Sequence, residues 1–361
     1  MSPPLSHGLS MAQSGCRIKC SWAPLDSVRA VAPIYMHERY QLLIAGYDGC
    51  QARILVCCDG ERTSFLPLLV KEIGKGLYEA YSAYGYGGFL GELVLSNNDI
   101  VALKSYLAEE GIVALFLRHS PFLSNQLLLP NGLSSLNRYT YISDLRVDNS
   151  FADHLMRAPQ KLRWSANYAL RAGLDVVFHS LDHCSSEKIY SFYLQYAALM
   201  ADKAASCYYH FTHEFLQNHA RYLGADCELA EITDPSGQSL GGALFLLDGS
   251  GWVHYHLSAV SRDAMKLQGM ELLMLSALHR FGARGYLKLH LGGGHALDES
   301  DGLSRFKSKF ASQKLEFHCS KLICDESAYA RERSRLPLAH PSLFLISDAR
   351  GVWPRMQANL A

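Results

Sequence analysis

Three glycines end an apolar stretch at Leu289-His290-Leu291-Gly292-Gly293-Gly294, and Ser304-Arg305-Phe306-Lys307-Ser308-Lys309-Phe310 follows a short way on. The first segment reads as a strand that finishes in bare backbone. N–H groups in such a place can approach an anion, or the oxygen of a carbonyl under attack. The second segment reads as a short helix. In it Lys307 can neutralise charge on a tetrahedral intermediate or a phosphate, while Phe306 fixes the lysine stem and shields the site. Each segment has a second reading. The glycines also fit a plain strand-to-helix turn. Phe306 and Phe310, at i and i+4, also fit the core face of an amphipathic helix with its lysines in water.

Other chemistry-bearing groups are scattered along the chain. Period two puts Trp252, His254, His256 and Ser258 on one strand face. His256 aimed into a cleft can take a proton from an amine nucleophile, and a hydrogen-bonded structural histidine fits the same pattern. Tyr84 and Tyr86 flank the loop Tyr84-Gly85-Tyr86-Gly87-Gly88, where phenol hydroxyls beside glycine backbone suit a polar ligand. Lys161, Arg163 and Arg171 form a basic row that fits a phosphate clamp or a solvated helix face. His210, His213, Glu214 and His219 lack the His-Glu-x-x-His spacing of a zinc helix, and no metal site is expected. Gly-x-Ser-x-Gly, Walker and kinase signatures are missing from the sequence.

Composition narrows the setting. The chain of 361 residues carries 34 basic and 34 acidic side chains, so no global field draws it to nucleic acid or to an anionic membrane. Apolar content of 49% supplies ample core, and the length suggests about two domains. Ten cysteines without any Cys-x-x-Cys suit a reducing compartment. The Ser-, Pro- and Gly-rich start resembles no secretory signal, and no apolar run approaches the roughly 18 residues of a membrane span. The expected location is the cytoplasm.

The elements that must hold these groups follow from periodicity. Gln41–Ala45, Ala52–Cys58 and Ser64–Lys71 read as strands of a meander, with Asp48-Gly49 and Asp59-Gly60 as hairpin turns. Asn97-Asn98-Asp99 starts a helix that ends near Glu110, and Ile112–Arg118 is a buried strand. Phe151–Ala172 reads as one long helix packed across both halves. Helices near Ser186–Lys203 and His210–Leu223 lead to a second meander, Glu228–Thr233, Leu240–Leu247 and Trp252–Ala259. A helix Gly269–Phe281 and a strand Tyr286–Leu291 complete the order. Meander, loop, helix and strand thus occur twice, predicting two α/β lobes split near Leu145–Asp148.

Four stretches, taken in order and spacing, resemble the FemAB-type branch of the GNAT superfamily of N-acetyltransferases. They are Ser82–Gly88 with Phe116–Pro121, Lys161-Leu162-Arg163 through Gly173, Phe192-Tyr193 with Tyr208-Tyr209 and Phe211, and Leu291–Gly294 through Phe310. The resemblance spans roughly residues 35–320. It implies a mixed α/β (α+β) fold of two tandem GNAT-like lobes. Each would be a mostly antiparallel central sheet flanked by helices, with a cleft between the two. The implied boundaries are a disordered leader at 1–20, lobes at 21–147 and 148–345, and a tail at 346–361.

The resemblance also implies transfer of an acyl or aminoacyl group to a primary amine on a peptide, sugar nucleotide or small metabolite. Phe306-Lys307 falls on the family's phenylalanine–lysine pair, and Lys161 and Arg163 fall on a basic helix that can face substrate phosphates. The expected catalytic residues are therefore Lys307, Phe306 and His256. Tyr84, Tyr86, Lys161, Arg163, Gly292, Gly293 and Gly294 are expected to bind substrate. CoA-dependent members carry an Arg/Gln-x-x-Gly-x-Gly/Ala loop for the pyrophosphate. Here Arg262–Met270 retains only Gln268-Gly269 of it. Aminoacyl-tRNA is thus the expected co-substrate, with acetyl-CoA or acyl-CoA as the alternative and no bound cofactor. A non-catalytic binding module of the same fold is the rival of another class.

Overall fold

A computed structural model describes residues 17–29, 32–205, 207–295, 297–335 and 344–349. Residues 1–16 of the expected leader and 350–361 of the expected tail lie outside the described residues.

The chain enters through strand β1 (Lys19–Ala23) and then helix α1 (Glu38–Asp48). The sequence reading placed a strand at Gln41–Ala45, and the structure corrects it. A five-residue apolar run fits strand or helix equally, and the wider spacing decides. Tyr40, Leu43, Ile44 and Tyr47 fall on one helical face and are buried together. Gly49, read as a hairpin turn, is the helix C-cap at φ 62°, with its N–H on the carbonyl of Ala45. The meander then comprises β2 (Gln51–Cys58), β3 (Thr63–Gly74) and β4 (Leu77–Tyr81), with the short β5 (Leu90–Gly91) on β3. Helix α2 (Asn97–Glu109) starts on a Ser96–Asp99 capping box, and β6 (Ile112–Arg118) and β7 (Ser134–Asp144) follow.

The long helix expected at Phe151–Ala172 is two, α3 (Phe151–Arg157) and α4 (Gln160–Arg171). Pro159 forces the break: the residue before a proline avoids the helical region, and Ala158 is extended at ψ 149°. Both helices pack on α8 of the second half, through the cluster that holds Leu155, Leu162, Ala166 and Ala169. The second half continues with β8 (Asp175–Ser180), α5 (Ser186–Asp202), α6 (His213–Leu223), β9 (Cys227–Thr233), β10 (Ser239–Leu247) and β11 (Trp252–Val260). Helices α7 (Arg262–Lys266) and α8 (Gly269–Ala283) lead to β12 (Lys288–Gly293), α9 (Gly302–Ser308) and β13 (Gln313–Ile323). Helices α10 (Glu326–Ser334) and α11 (Ile346–Ala349) close the described chain.

Both halves have the expected plan, and their sheets are one. The strand order is β1-β2-β3-β4-β6-β13-β7-β12-β11-β10-β9-β8. Only β4–β6 and β11–β12 pair in parallel among these neighbours. The halves exchange a strand: β7, from the first, pairs with β12, while β13, from the second, pairs with β6. The exchanged strands also pair with each other at the centre. On β10, Leu244 and Leu246 face a core shared with α1, α5 and α6, while Ala243, Phe245 and Leu247 face α8. This alternation puts helices on both faces of the sheet. Helix α1 of the first half packs on α6 of the second, with the rings of Tyr47 and Phe215 4.4 Å apart. No helix among the described residues is long and apolar enough to cross a membrane.

Candidate active site

Strands β11 and β12 stay paired only from Trp252/Lys288 to His254/His290, and beyond that they part. A β-bulge falls at the parting. Leu244 opposes Leu257 and Phe245 opposes Tyr255, so His256 is skipped in the ladder. The bulge ends the two-residue alternation, and Tyr255 and His256 both reach the cavity that opens there. This cleft measures about 1140 Å³ and takes walls from both halves of the chain. Ligands of open α/β sheets bind at such carboxyl ends of strands.

Helix α9 forms one wall and is held by Asp301, whose carboxylate accepts from the N–H groups of Leu303 (2.9 Å) and Ser304 (3.0 Å). The helix lies directly on the end of β12. A Cβ at Gly294 would sit 1.8 Å from Ser304 Oγ, and one at Gly293 would meet the Arg138 stem at 2.8 Å. Gly292 has φ 72°, and a Cβ there would come within 3.2 Å of Lys307 Nζ. All three glycines line the cleft. Gly292 and Gly293 are paired to Tyr141 and Thr140 of β7. What the packing requires of the run is the closeness with which α9, Lys307 and Arg138 sit on its backbone.

Lys307 points inward, against the amphipathic pattern that would leave it in water. It is buried, and Nζ donates to the carbonyl of Gly293 at 2.7 Å. Burial, then the Arg138 charge, draws its pKa down to about 7, with Asp301 opposing. Phe306 also lines the cleft and leans on the buried Phe310, ring centroids 5.2 Å apart. Lys309 turns to Glu271, 2.9 Å away, in the first turn of α8.

Tyr84 and Tyr86 project from the first glycine loop into the same cleft. The Tyr84 carbonyl accepts from Tyr40 Oη at 2.7 Å, and the Tyr86 ring meets Tyr35, His290 and Phe317 edge-on. Lys161 and Arg163 are absent from it. Lys161 is exposed on α4, and Arg163 donates to the Met156 carbonyl at 2.8 Å. The structure does not bring these two to the other expected site residues: α4 packs on α8 and turns its basic row outward.

His256 lines the cleft, with both ring nitrogens in contact with other side chains. His219 Nδ1 lies 2.9 Å from the Phe215 carbonyl and must carry a proton, so its Nε2 accepts from His256 Nε2 at 3.4 Å. That leaves His256 Nδ1 to accept from Tyr35 Oη at 3.3 Å. Both ring nitrogens are spent. Burial, then His219 and His254, pushes the His256 pKa far down.

The same logic exposes His290, which the sequence reading passed over. Buried Asp248 accepts from the N–H groups of Ile34 (2.8 Å) and Ser250 (2.9 Å) and faces His254 Nε2 at 3.7 Å. Burial raises the Asp248 pKa, and His254 with these N–H groups outweighs it, to about 2. An N–H on His254 Nε2 leaves its Nδ1 to accept from His290 Nδ1 at 3.3 Å. His290 Nε2 then carries a lone pair, is buried, and has no hydrogen-bond partner among the described residues. His290 lines the cleft, kept neutral by burial and by its neighbours His254 and Lys307. Arg118 and Arg138 also line it and were missed. Arg118 ends a strand that reads as wholly apolar, and Arg138 lies on β7, which the sequence reading did not assign.

The fold is one mixed sheet built from two halves of like element order and flanked by helices, with a cleft at the splayed strands of the second half. Residues 157–308 match the acetyltransferase (GNAT) domain, a span that covers β8 to β12 and α9 and stops short of β13. The chain is similar to the crystal structure of FemX, at 14% identity and TM-score 0.60, covering 82% of this chain and 93% of that one. It is also similar to a tandem GNAT protein from the clavulanic acid biosynthesis pathway, at 11% identity and TM-score 0.48, covering 84% and 98%. A third likeness is the C-terminal domain of a putative lysylphosphatidylglycerol synthetase from Agrobacterium fabrum, at 14% identity and TM-score 0.47, covering 71% and 80%. No curated protein matches the chain.

Proposed function

We propose that the protein is an N-acyltransferase that moves an aminoacyl or acyl group from an activated ester to a primary amine. Lys307 carries the reading: a buried lysine at the cleft wall, hydrogen-bonded to a backbone carbonyl where a structural lysine would have a carboxylate. The amine nitrogen attacks the ester carbonyl and forms the C–N bond. Protonated Lys307 neutralises the oxyanion, and the approach of that charge raises its pKa again. His290 Nε2 takes the proton lost by the nitrogen. The carbon–oxygen ester bond then breaks, and the leaving oxygen regains a proton from His290. Most of the acceleration comes from orientation and charge neutralisation.

Aminoacyl-tRNA is the favoured donor, and the cytoplasm, where it is made, the expected place of action. At the cleft, the first turn of α8 holds the Glu271 carboxylate, already paired with Lys309. A CoA pyrophosphate would meet that carboxylate at the helix N-terminus. The segment before it is the short helix α7 rather than an open glycine loop. An acyl-CoA donor is the second reading, favoured by the acetyltransferase domain match.

Thermal-shift titrations against acetyl-CoA and a charged-tRNA pool decide between them. Saturable stabilisation by acetyl-CoA sinks the aminoacyl donor, and stabilisation by charged tRNA alone supports it. Silence from both, with no turnover to lose in Lys307→Ala, would leave a binding module.

A further inference from the structure

The cleft holds more positive charge than the transfer step uses. Arg118, at the end of β6, donates through Nη1 to the Tyr208 hydroxyl at 2.7 Å, with its guanidinium 5.3 Å from that ring and 5.6 Å from Phe116. No other hydrogen bond engages its guanidinium among the described residues, and no carboxylate pairs with it there. Arg138 donates through Nη1 to the Gly294 carbonyl at 2.8 Å and through Nε to Asn137 at 2.8 Å, again without a carboxylate. Cys319 of β13 opposes Arg118 and Phe317 opposes Arg138, and all four line the cleft, which places the two arginines on either side of one short stretch of β13. Among the described lining residues the one carboxylate is Glu271, which Lys309 already neutralises.

Two half-buried guanidinium groups without a counter-charge are costly, since each loses hydration and gains only neutral partners. A ligand oxyanion resolves that cost. A planar guanidinium presents paired N–H donors that match a carboxylate or phosphate, and tyrosine hydroxyls beside it add neutral donors. We propose that Arg118 and Arg138 form an oxyanion subsite that seats a phosphate or carboxylate group of the substrate beside Lys307. The Arg138 stem lies over Gly293, whose carbonyl holds Lys307, so the seated group and the reacting carbonyl share one wall of the cleft. Calling the occupant a substrate rests on the transfer reading; binding of the oxyanion does not.

Binding is tested without turnover. Wild type, Arg118→Met and Arg138→Met are titrated with sodium pyrophosphate and with sodium succinate against sodium chloride of equal ionic strength, and melting temperature is read. The expected result is a saturable rise with pyrophosphate or succinate in the wild type. Half-saturation moves up about tenfold or more in each variant, as befits loss of a charge-assisted hydrogen bond. Whichever anion saturates at lower concentration names the phosphate or the carboxylate class. Equal shifts in wild type and variants, or no rise above sodium chloride, overturn the subsite. If Arg118→Met does not fold by circular dichroism, Arg118→Lys carries the test, with weakened but measurable saturation expected. Arginine-dependent binding with no transfer from charged tRNA or acetyl-CoA would keep the subsite and sink the transferase. Transfer with arginine-independent binding would do the reverse.

Discussion

Lys307 Nζ lies 2.7 Å from the carbonyl oxygen of Gly293, so α9 delivers its amine onto the last residue of β12. A cation fixed there costs no reorganisation when charge develops on a carbonyl nearby. Lys307→Ala is expected to keep the fold and lower kcat by about 10²–10³, the usual cost of one oxyanion donor. Steady-state kinetics beside circular dichroism measure both. A variant within a few-fold of wild type would remove Lys307 from the mechanism.

The same burial makes Lys307 a stability liability with a definite pH signature. Its pKa falls from 10.5 to about 7 on folding. Between those values the unfolded chain binds a proton that the folded chain does not, so this group makes stability rise with pH across the window. Below about pH 7 both states are protonated and the full penalty applies. Lys307→Met should therefore melt higher than wild type at pH 6.5, with the gap closing toward pH 10. A gap independent of pH would show that the lysine is not desolvated.

Activity should follow the free-enzyme titration in the opposite sense. Protonated Lys307 and neutral His290 are both required, and kcat/KM reports their pKa values in the free enzyme. It should fall as pH rises past about 7, the Lys307 value. The alkaline limb of kcat should lie higher, because a bound anion restores the ammonium. Coincident limbs would separate Lys307 from the anion it is held to meet.

His290→Gln is expected to cut kcat by about 10²–10⁴, the range of a lost general base, while His256→Gln changes it less than about tenfold. Asp248→Asn acts through His254. It should lower kcat and move the acid limb to lower pH, since a carboxylate that favours imidazolium is gone. A rate loss with an unmoved profile would mean a packing defect instead.

Gly294→Ala would bring a methyl to within 1.8 Å of Ser304 Oγ and 2.6 Å of the Asp301 carboxylate. The cap of α9 must shift, and overpacking of this kind costs about 1–3 kcal/mol. Both melting temperature and turnover should fall, because the displaced helix carries Lys307. Unchanged turnover would uncouple the cap from the site.

Much of this was readable in the chain. Element order was legible in the two meander–loop–helix–strand runs, and the Gly292–Gly294 run and Phe306-Lys307, singled out by residue type, all line the cleft. Other features depend on partners distant in sequence. The Asp48-Gly49 signal serves a helix end as well as a hairpin, and only the burial of Tyr40 and Tyr47 separates the two. His256 looked available because its alternation ignored the bulge, and its lone pair was already claimed by Tyr35 from far upstream. His290 sits unremarked inside an apolar run, and the lone pair on its buried Nε2 follows from Asp248 and His254. Lys161 and Arg163 read as a clamp only while Phe151–Ala172 was one helix spanning both halves; the proline turned them away.

The exchange of β7 and β13 has a consequence for how the molecule is made. As the chain leaves the ribosome, β6 (Ile112–Arg118) must wait for Gln313–Ile323 to occupy its open edge. Residues 112–118 are almost wholly apolar, and an unpaired strand edge of that kind invites aggregation. Synthesis thus passes through a long interval in which the first half is unfinished, and a frameshift late in the coding sequence would injure it as surely as an early one. Cutting the gene between the halves would yield two sticky fragments, each lacking the strand that the other keeps.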